Sequence, residues 1–185
     1  MKRVTIVIHG LMGIVPLISK GTRDIDKLID ALAGPDSRDY IQSAWKSAWQ
    51  YIQDEKAKGP IEVILIGHSM GCYRAIQIAE KCRTAGIKVT YIGAIDPTAI
   101  NRMFGMKPMV VPENVIEVDE FWASSGVPAM NRKMDKSGGK GGCYRYHSTW
   151  SGKLFQKEYR SGHIALASDD RVVNRIVSRV GELIG

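Results

Sequence analysis

The hydrophobic positions of the chain fall into short unbroken runs that alternate with amphipathic stretches. Four runs are rich in Val and Ile and predict strands: Val4–Ile8, Ile61–Ile66, Lys88–Ile95 and Asn114–Val118. Helical patterns lie between the first and second runs and between the second and third. Strands that alternate with helices form parallel sheets, because each connection has to cross back over the sheet. The pattern therefore predicts an α/β fold, with a mostly parallel sheet and helices on both faces.

Apolar residues at helical spacing, with their caps and stop signals, predict the remaining elements. The expected helices cover Thr22–Ala33, a stretch from a cap at Asp36 or Ser37 to Lys58, Cys72–Ala85 and Asp169–Ile184. No strand pattern is found between Gly21 and Pro60. Two later segments, Cys143–Trp150 and Lys153–Tyr159, are joined across Ser151-Gly152 and are predicted to pair as a hairpin.

Length and cysteine content limit the class of protein. The 185 residues, 44% of them hydrophobic, suit one compact domain over 1–185. The three cysteines have neither an even count nor a metal-ligand spacing: Cys72, Cys82 and Cys143. We therefore expect reduced thiols in a cytoplasmic protein, with no metal and no cofactor.

The N-terminus and the apolar runs lack the features of export and membrane signals. Met1-Lys2-Arg3 precedes an apolar run, but His9-Gly10 and Pro16 interrupt it and no small-x-small cleavage pattern follows. No apolar run approaches the length of a transmembrane helix. The sequence therefore predicts neither a signal peptide nor a transmembrane segment.

The net charge of +7 is unevenly spread along the chain, and one Gly-rich stretch, the 130–145 loop, is strongly basic. Its charged residues are Arg132, Lys133, Lys136, Lys140 and Arg145, set against Asp135. Two interpretations stay open: a solvated loop, or a surface that binds an anionic partner. No nucleic-acid partner is predicted, because neither a recognition motif nor interleaved aromatic residues accompany the charges.

The run Ile61–Ile66 leads directly into Gly67-His68-Ser69-Met70-Gly71 and then into a helical pattern. A G-x-S-x-G sequence between a strand and a helix is typical of a nucleophile elbow, in which a sharp turn exposes the serine hydroxyl. Glycines flank the turn because larger side chains would collide with the neighbouring backbone. Ser69 is therefore the candidate nucleophile, and the Met70 N–H, at the start of the helix, is a candidate oxyanion donor.

The first predicted strand ends in His9-Gly10-Leu11-Met12-Gly13. Hydrolases with a nucleophile elbow take a second oxyanion donor from the loop after such a strand. An ordinary strand-to-loop turn would have the same glycines, but beside the elbow the functional interpretation is favoured. The Leu11 N–H is therefore the second candidate donor.

A serine nucleophile needs a base and a carboxylate that orients the base. His9 and His68 belong to the two turns just described, and His147 lies in a strand-like run. His163 lies between the last strand pattern and the last helix, so it is the candidate base. For the acid, Asp96 and Asp119 each end a predicted strand, and the residues alone leave both open.

Together these motifs resemble the α/β-hydrolase superfamily, and more closely its lipase-like branches. The resemblance rests on His9-Gly10, the elbow at Gly67–Gly71, Ile95-Asp96-Pro97 and Gly162-His163, spread over nearly the whole chain. It implies a three-layer α/β-hydrolase sandwich and the order nucleophile, acid, histidine. It also implies Asp96 as the acid, because Asp96-Pro97 matches lipases whose acid follows the strand after the nucleophile helix. Compared with larger lipases, the chain is short, lacks a cap domain and is predicted to lack one strand.

The connection Thr98–Pro112 is rich in apolar residues, among them Met103, Phe104 and Met106. Methionines repack around ligands of different shape, so these three residues are candidates for an acyl-binding wall, while filling of the core is the alternative. The resemblance implies a serine hydrolase of carboxylic esters that acts on a small-molecule or lipid-like acyl ester. A thioesterase or acyltransferase with the same site, or a non-catalytic binding module for an anionic surface, stays an alternative.

Overall fold

The computed structural model describes residues 1–10, 25–97, 109–124 and 144–185. Within these residues the strands are Lys2–Ile8 (β1), Ser37–Tyr40 (β2), Ile61–His68 (β3), Lys88–Ile95 (β4), Met109–Val111 (β5), Glu117–Ala123 (β6), Tyr144–Tyr146 (β7) and Lys153–Tyr159 (β8). The helices are Asp26–Ala31 (α1), Trp45–Lys58 (α2), Met70–Thr84 (α3), His163–Ala167 (α4) and Asp170–Ile184 (α5), with a short 3₁₀ helix at Gln42–Ala44. None of the helices in these stretches is long and apolar enough to cross a membrane.

Six of the described strands form one sheet in the order β2-β1-β3-β4-β6-β8. Every neighbouring pair in this sheet is parallel. The central strand β3 is buried over its whole length, as the unbroken apolar run predicts. Its Val63 and Leu65 face a core shared with α2 and α3, whereas Ile64 and Ile66 face a core shared with α1, α4 and α5. The prediction of a three-layer α/β fold with a parallel sheet is thus confirmed.

The strand β2 corrects the expectation that no strand lies between Gly21 and Pro60. Ser37–Tyr40 pairs in parallel with β1, and the helix expected to begin at Asp36 or Ser37 begins only at Trp45. As an edge strand β2 has a single neighbour, and its sequence of Ser, Arg, Asp and Tyr has no apolar run. The sheet therefore contains the strand that the sequence was predicted to lack.

The hairpin predicted for the C-terminal region is wrong. Lys153–Tyr159 pairs in parallel with β6 in the main sheet, and Tyr144–Tyr146 pairs in parallel with β5 in a separate two-stranded sheet. Gly152, in the connection between these two strands, lies close to the backbone before β6. A Cβ at this position would lie 2.5 Å from the Ile116 carbonyl oxygen. Glycine lets the chain pass close to β6, and Lys153 N–H then donates to the Ile116 carbonyl at 2.9 Å.

The fourth predicted strand, Asn114–Val118, is displaced along the chain to Glu117–Ala123. Carboxylates are uncommon inside strands, but here they are paired with side chains from elsewhere in the fold. Asp119 accepts from Arg175, Glu117 from Arg179 and Glu120 from Gln156. Asp119 therefore lies in the middle of β6 and not at its end.

Candidate active site

The elbow lies where the buried strand β3 passes into α3, at the carboxyl edge of the sheet. Ser69 has φ 55° and ψ −122°, a conformation that side chains disfavour. Its N–H donates to the Ile95 carbonyl at 2.9 Å, which fixes the turn against β4. Both flanking glycines are required by close backbone contacts: a Cβ at Gly67 would lie 2.5 Å from Cys72 N, and one at Gly71 would lie 2.1 Å from the Ile8 carbonyl oxygen.

Three of the predicted site residues meet at this edge. The Ser69 hydroxyl Oγ lies 3.0 Å from His163 Nε2, and His163 Nδ1 lies 2.6 Å from Asp96 Oδ2. His163 is the first residue of α4, and Asp96 follows the last residue of β4 directly. The three side chains thus form one continuous line of hydrogen bonds, although they lie 27 and 67 residues apart along the chain.

The tautomer of His163 follows from its partners. A carboxylate can only accept, so the Nδ1 that faces Asp96 carries the hydrogen. In the neutral ring Nε2 is then the acceptor and receives the Ser69 O–H. This is the protonation state in which an imidazole can take a proton from the serine.

The Asp96 carboxylate is fully buried and has a second fixed contact. Its Oδ1 accepts from the Ala123 N–H of β6 at 3.1 Å, and the Asp96 N–H donates to the Phe121 carbonyl at 2.7 Å. Like Ser69, Asp96 has a positive φ, 43°. The sequence offered no signal for these contacts, because they depend on the register between β4 and β6.

The other candidate acid and base lie elsewhere. Asp119 accepts from Arg175 of α5 at 2.8 Å, and its burial raises its pKa despite this ion pair. His147 lies just after β7, exposed, with Nδ1 2.7 Å from Thr149 Oγ1. The structure therefore brings His163 together with Asp96, and not with Asp119.

Comparison with known proteins gives no match in sequence, to either a family model or a curated protein. Comparison with solved structures does give matches. RedJ, a thioesterase from the prodiginine biosynthetic pathway in Streptomyces coelicolor, has a TM-score of 0.55 at 12% identity, covering 95% of this chain and 85% of that one. Human thioesterase 2 has a TM-score of 0.55 at 11% identity, with 97% and 94% covered. The surfactin-cyclising thioesterase domain SrfTE has a TM-score of 0.54 at 13% identity, with 100% and 92% covered.

These likenesses extend over nearly the whole chain, and with the parallel sheet flanked by helices they decide the architecture. The chain has the α/β-hydrolase fold. Within this α/β-hydrolase fold, the residues that meet at the carboxyl edge follow one another along the chain as Ser69, Asp96 and His163. At identities of 11 to 13%, these likenesses show the fold and not the activity.

Several predicted residues of this α/β-hydrolase fold lie outside the described residues. They are the oxyanion candidate Leu11, the acyl-wall candidates Met103, Phe104 and Met106, and most of the basic 130–145 loop. Met70, the other oxyanion candidate, is the first residue of α3. Its position is that of a first-turn N–H, which has no partner within its own helix.

His9 directly follows β1 and precedes the oxyanion candidate Leu11 by two residues in the sequence. Its ring is buried, and its Nε2 lies 3.2 Å from Asp39 Oδ2 of β2. This contact has no signal in the sequence, because the edge strand β2 that carries Asp39 has no apolar run. The contact between His9 and Asp39 therefore joins the end of β1 to the edge strand β2.

Metal-ligating side chains and a cavity among the described residues bear on the chemistry of the site. No group of three or more His, Cys, Asp and Glu side chains among them could hold a metal ion. A cavity of about 400 Å³ opens at the opposite edge, where β1 and β2 begin, between Thr5, Pro35 and Ile184. It is not lined by Ser69, Asp96 or His163, so the chemistry of the site does not take place there.

Proposed function

We propose that this protein is a serine hydrolase that cleaves carboxylic esters through an acyl-enzyme intermediate. The observation that carries the proposal is the line of hydrogen bonds from Ser69 through His163 to Asp96. A serine hydroxyl is a weak nucleophile until a base accepts its proton, and the base needs a group that fixes its tautomer. The proposal is supported by a serine, a histidine and a carboxylate that lie within hydrogen-bond distance of one another at one edge of the sheet.

In the proposed reaction Ser69 Oγ attacks the acyl carbonyl carbon while its proton moves to His163 Nε2. Asp96 stabilises the resulting imidazolium, which then gives the proton to the departing alcohol as the ester C–O bond breaks. Water next attacks the acyl-enzyme and loses a proton to His163. The acid is released, and the proton returns to Ser69.

The negative charge that develops on the carbonyl oxygen needs donors that are already in place. The Met70 N–H at the start of α3 supports the proposal, because the first N–H groups of a helix are unpaired and lie at the positive end of its dipole. The Leu11 N–H stays a prediction for the second donor.

The proposed substrate is a small-molecule or lipid-like acyl ester. Met103, Phe104 and Met106 stay predictions for the wall that holds its acyl chain, and an anionic surface stays a possible partner of the 130–145 loop. Thioester cleavage is the second candidate reaction, since the solved structures of like fold include thioesterases. The same attack on a carbonyl serves both reactions, and they differ only in the leaving group.

Turnover of matched substrates tests the proposal. Wild type, Ser69→Ala and Ser43→Ala are compared on p-nitrophenyl butyrate and on a butyryl thioester, where Ser43 is an exposed serine far along the chain from the elbow. We expect hydrolysis of the ester by wild type and Ser43→Ala, with a loss of about a thousandfold or more in Ser69→Ala. Undiminished hydrolysis by Ser69→Ala would contradict the proposal. A higher kcat/KM for the thioester would favour the second candidate.

A further inference from the structure

The imidazole of His68 lies fully buried beside the proposed nucleophile and reaches the segment that carries the proposed base. His68 Nε2 lies 3.1 Å from the carbonyl oxygen of His163, 95 residues away along the chain. The two rings are also in contact, with centroids 4.8 Å apart and planes tilted by 32°. The His68 side chain thus contacts His163 in two ways. Its Nε2 bonds the His163 backbone, and its ring packs against the His163 ring.

We propose that His68 is a positioning residue, which sets where the His163 ring lies relative to Ser69. The proposal rests on the proposed function only for its effect on catalysis; the contacts themselves are properties of the fold. A carbonyl oxygen can only accept, so His68 Nε2 carries the hydrogen and donates it. Because His68 immediately precedes Ser69, this bond joins the elbow directly to the base segment.

The base segment needs such a contact because it is short and lightly packed at its beginning. His163 opens the five-residue helix α4, whose buried residues Leu166 and Ala167 lie at its other end. Among the described residues no atom beyond its chain neighbours lies within 4 Å of the place where a Cβ of Gly162 would be, and Gly162 and His163 are only partly buried. His68 holds the start of α4, while the core holds its end.

The distance between Ser69 Oγ and His163 Nε2 is what this arrangement controls. A displacement of about 1 Å between reacting groups can lower a rate about a hundredfold. Asp96 fixes the His163 ring through Nδ1, but it does not fix the backbone from which the ring extends. His68 bonds that backbone at the His163 carbonyl.

Variants that separate the two contacts test the proposal. His68→Gln keeps an N–H donor at similar reach and loses the ring; His68→Phe keeps a ring and loses the donor. His68→Met removes the donor with a flexible side chain, in case Phe is not accommodated. His147→Phe, at an exposed histidine away from the site, is the control. Each variant is examined for kcat, KM, melting temperature and the low-field proton resonance of His163 Nδ1–H, which is assigned by its disappearance in His163→Gln.

We expect His68→Phe and His68→Met to lower kcat about 10- to 100-fold with little change in KM, and to shift or broaden the His163 resonance. We expect His68→Gln to restore most of kcat and the resonance, although it also loses the ring. If His68 only stabilised the fold, melting temperatures would fall while kcat and the resonance of folded protein stayed unchanged, which would overturn the proposal.

The resonance distinguishes this proposal from the proposed function. If wild type hydrolyses no ester and yet the resonance changes in His68→Phe and His68→Met, the hydrolase assignment fails and the positioning role stands. If wild type is active and the donor-free variants match it in kcat and resonance, the positioning role fails and the hydrolase assignment stands.

Discussion

Two residues of the site have backbone conformations that their side chains disfavour. Ser69 and Asp96 are the non-glycine residues with positive φ in the described part of the chain. Such conformations cost about 1–3 kcal/mol each and persist only where the surroundings enforce them. The enforcing contacts are backbone hydrogen bonds across the sheet, from Ser69 N–H to Ile95 and from Asp96 N–H to Phe121. Backbone hydrogen bonds to neighbouring strands thus hold both residues in these conformations.

Asp96 and Asp119 allow a matched test of the proposed acid. Asp96→Asn should lower kcat by up to about ten-thousandfold, because an amide no longer holds His163 in the tautomer that accepts from Ser69. Asp119→Asn should leave kcat nearly unchanged and lower the melting temperature modestly, since Asp119 pairs with Arg175 and not with His163. Both are measured as kcat and melting temperature of purified protein. A folded Asp119→Asn protein with the larger loss of kcat would reverse the assignment.

The glycines of the chain give a second pair of opposite expectations. Gly71→Ala should lower the free energy of unfolding by about 3 kcal/mol or more, because its Cβ would lie 2.1 Å from the Ile8 carbonyl oxygen, and backbone cannot easily move aside. Gly181→Ala in α5 should raise it by about 0.5–1 kcal/mol, since no described residue outside its own helix turn lies within 4 Å of that Cβ and alanine favours helix. Urea unfolding measures both. Equal effects of the two substitutions would show that the elbow does not need its glycine.

Ion pairs join the last helix, α5, to the sheet. Arg175 and Arg179 of α5 donate to Asp119 and Glu117 of β6, respectively. Arg175 also lies over the Phe155 ring of β8, 4.5 Å from its centroid. The carboxylates of β6 are therefore paired with the arginines of α5, and these ion pairs help to hold α5 against the sheet.

A similar contact between β1 and α2 gives stability a pH dependence. Lys2 and Lys58 both donate to Glu55, which lowers the pKa of Glu55 from 4.5 to about 2. Because the pKa is lower in the folded state, the stabilisation is present above pH 4.5 and is lost as the pH falls towards 2. Glu55→Gln should therefore unfold more easily than wild type at pH 7, with a difference that shrinks towards pH 2. Urea unfolding at several pH values measures it, and a constant difference would exclude the ion pair as its cause.

For the whole molecule, the sequence was informative where the fold is determined locally. β3, β4, α3 and α5 were predicted nearly at their observed bounds, because each buries an unbroken apolar run or stripe. β2 was missed because an edge strand needs no apolar run, and β6 was misplaced because its carboxylates are paired with arginines about 60 residues away. The hairpin prediction is wrong because the short connection between the two segments does not indicate that each one pairs in parallel with a different, more distant strand.

The residues of the candidate site also differ in whether the local sequence predicts them. Ser69 was found from one pentapeptide, since the elbow is a local feature of sequence. The choice of Asp96 over Asp119 needed the resemblance to lipases, because only the assembled sheet determines which carboxylate meets His163. The contact between His68 and His163 had no sequence signal, as it joins residues from opposite halves of the chain. The catalytic roles of Ser69, Asp96 and His163 stay predictions.

Covalent labelling of Ser69 tests the central claim most directly. Folded wild type is treated with a fluorophosphonate, and intact and peptide mass spectrometry determine the number and the position of adducts, with Ser69→Ala and Ser43→Ala treated in parallel. The account predicts one adduct, on Ser69, which is retained in Ser43→Ala and absent from Ser69→Ala, because only a serine held against a base attacks phosphorus at a useful rate. Folded protein that takes no adduct, or takes it on another serine, would contradict the account and favour a non-catalytic binding module.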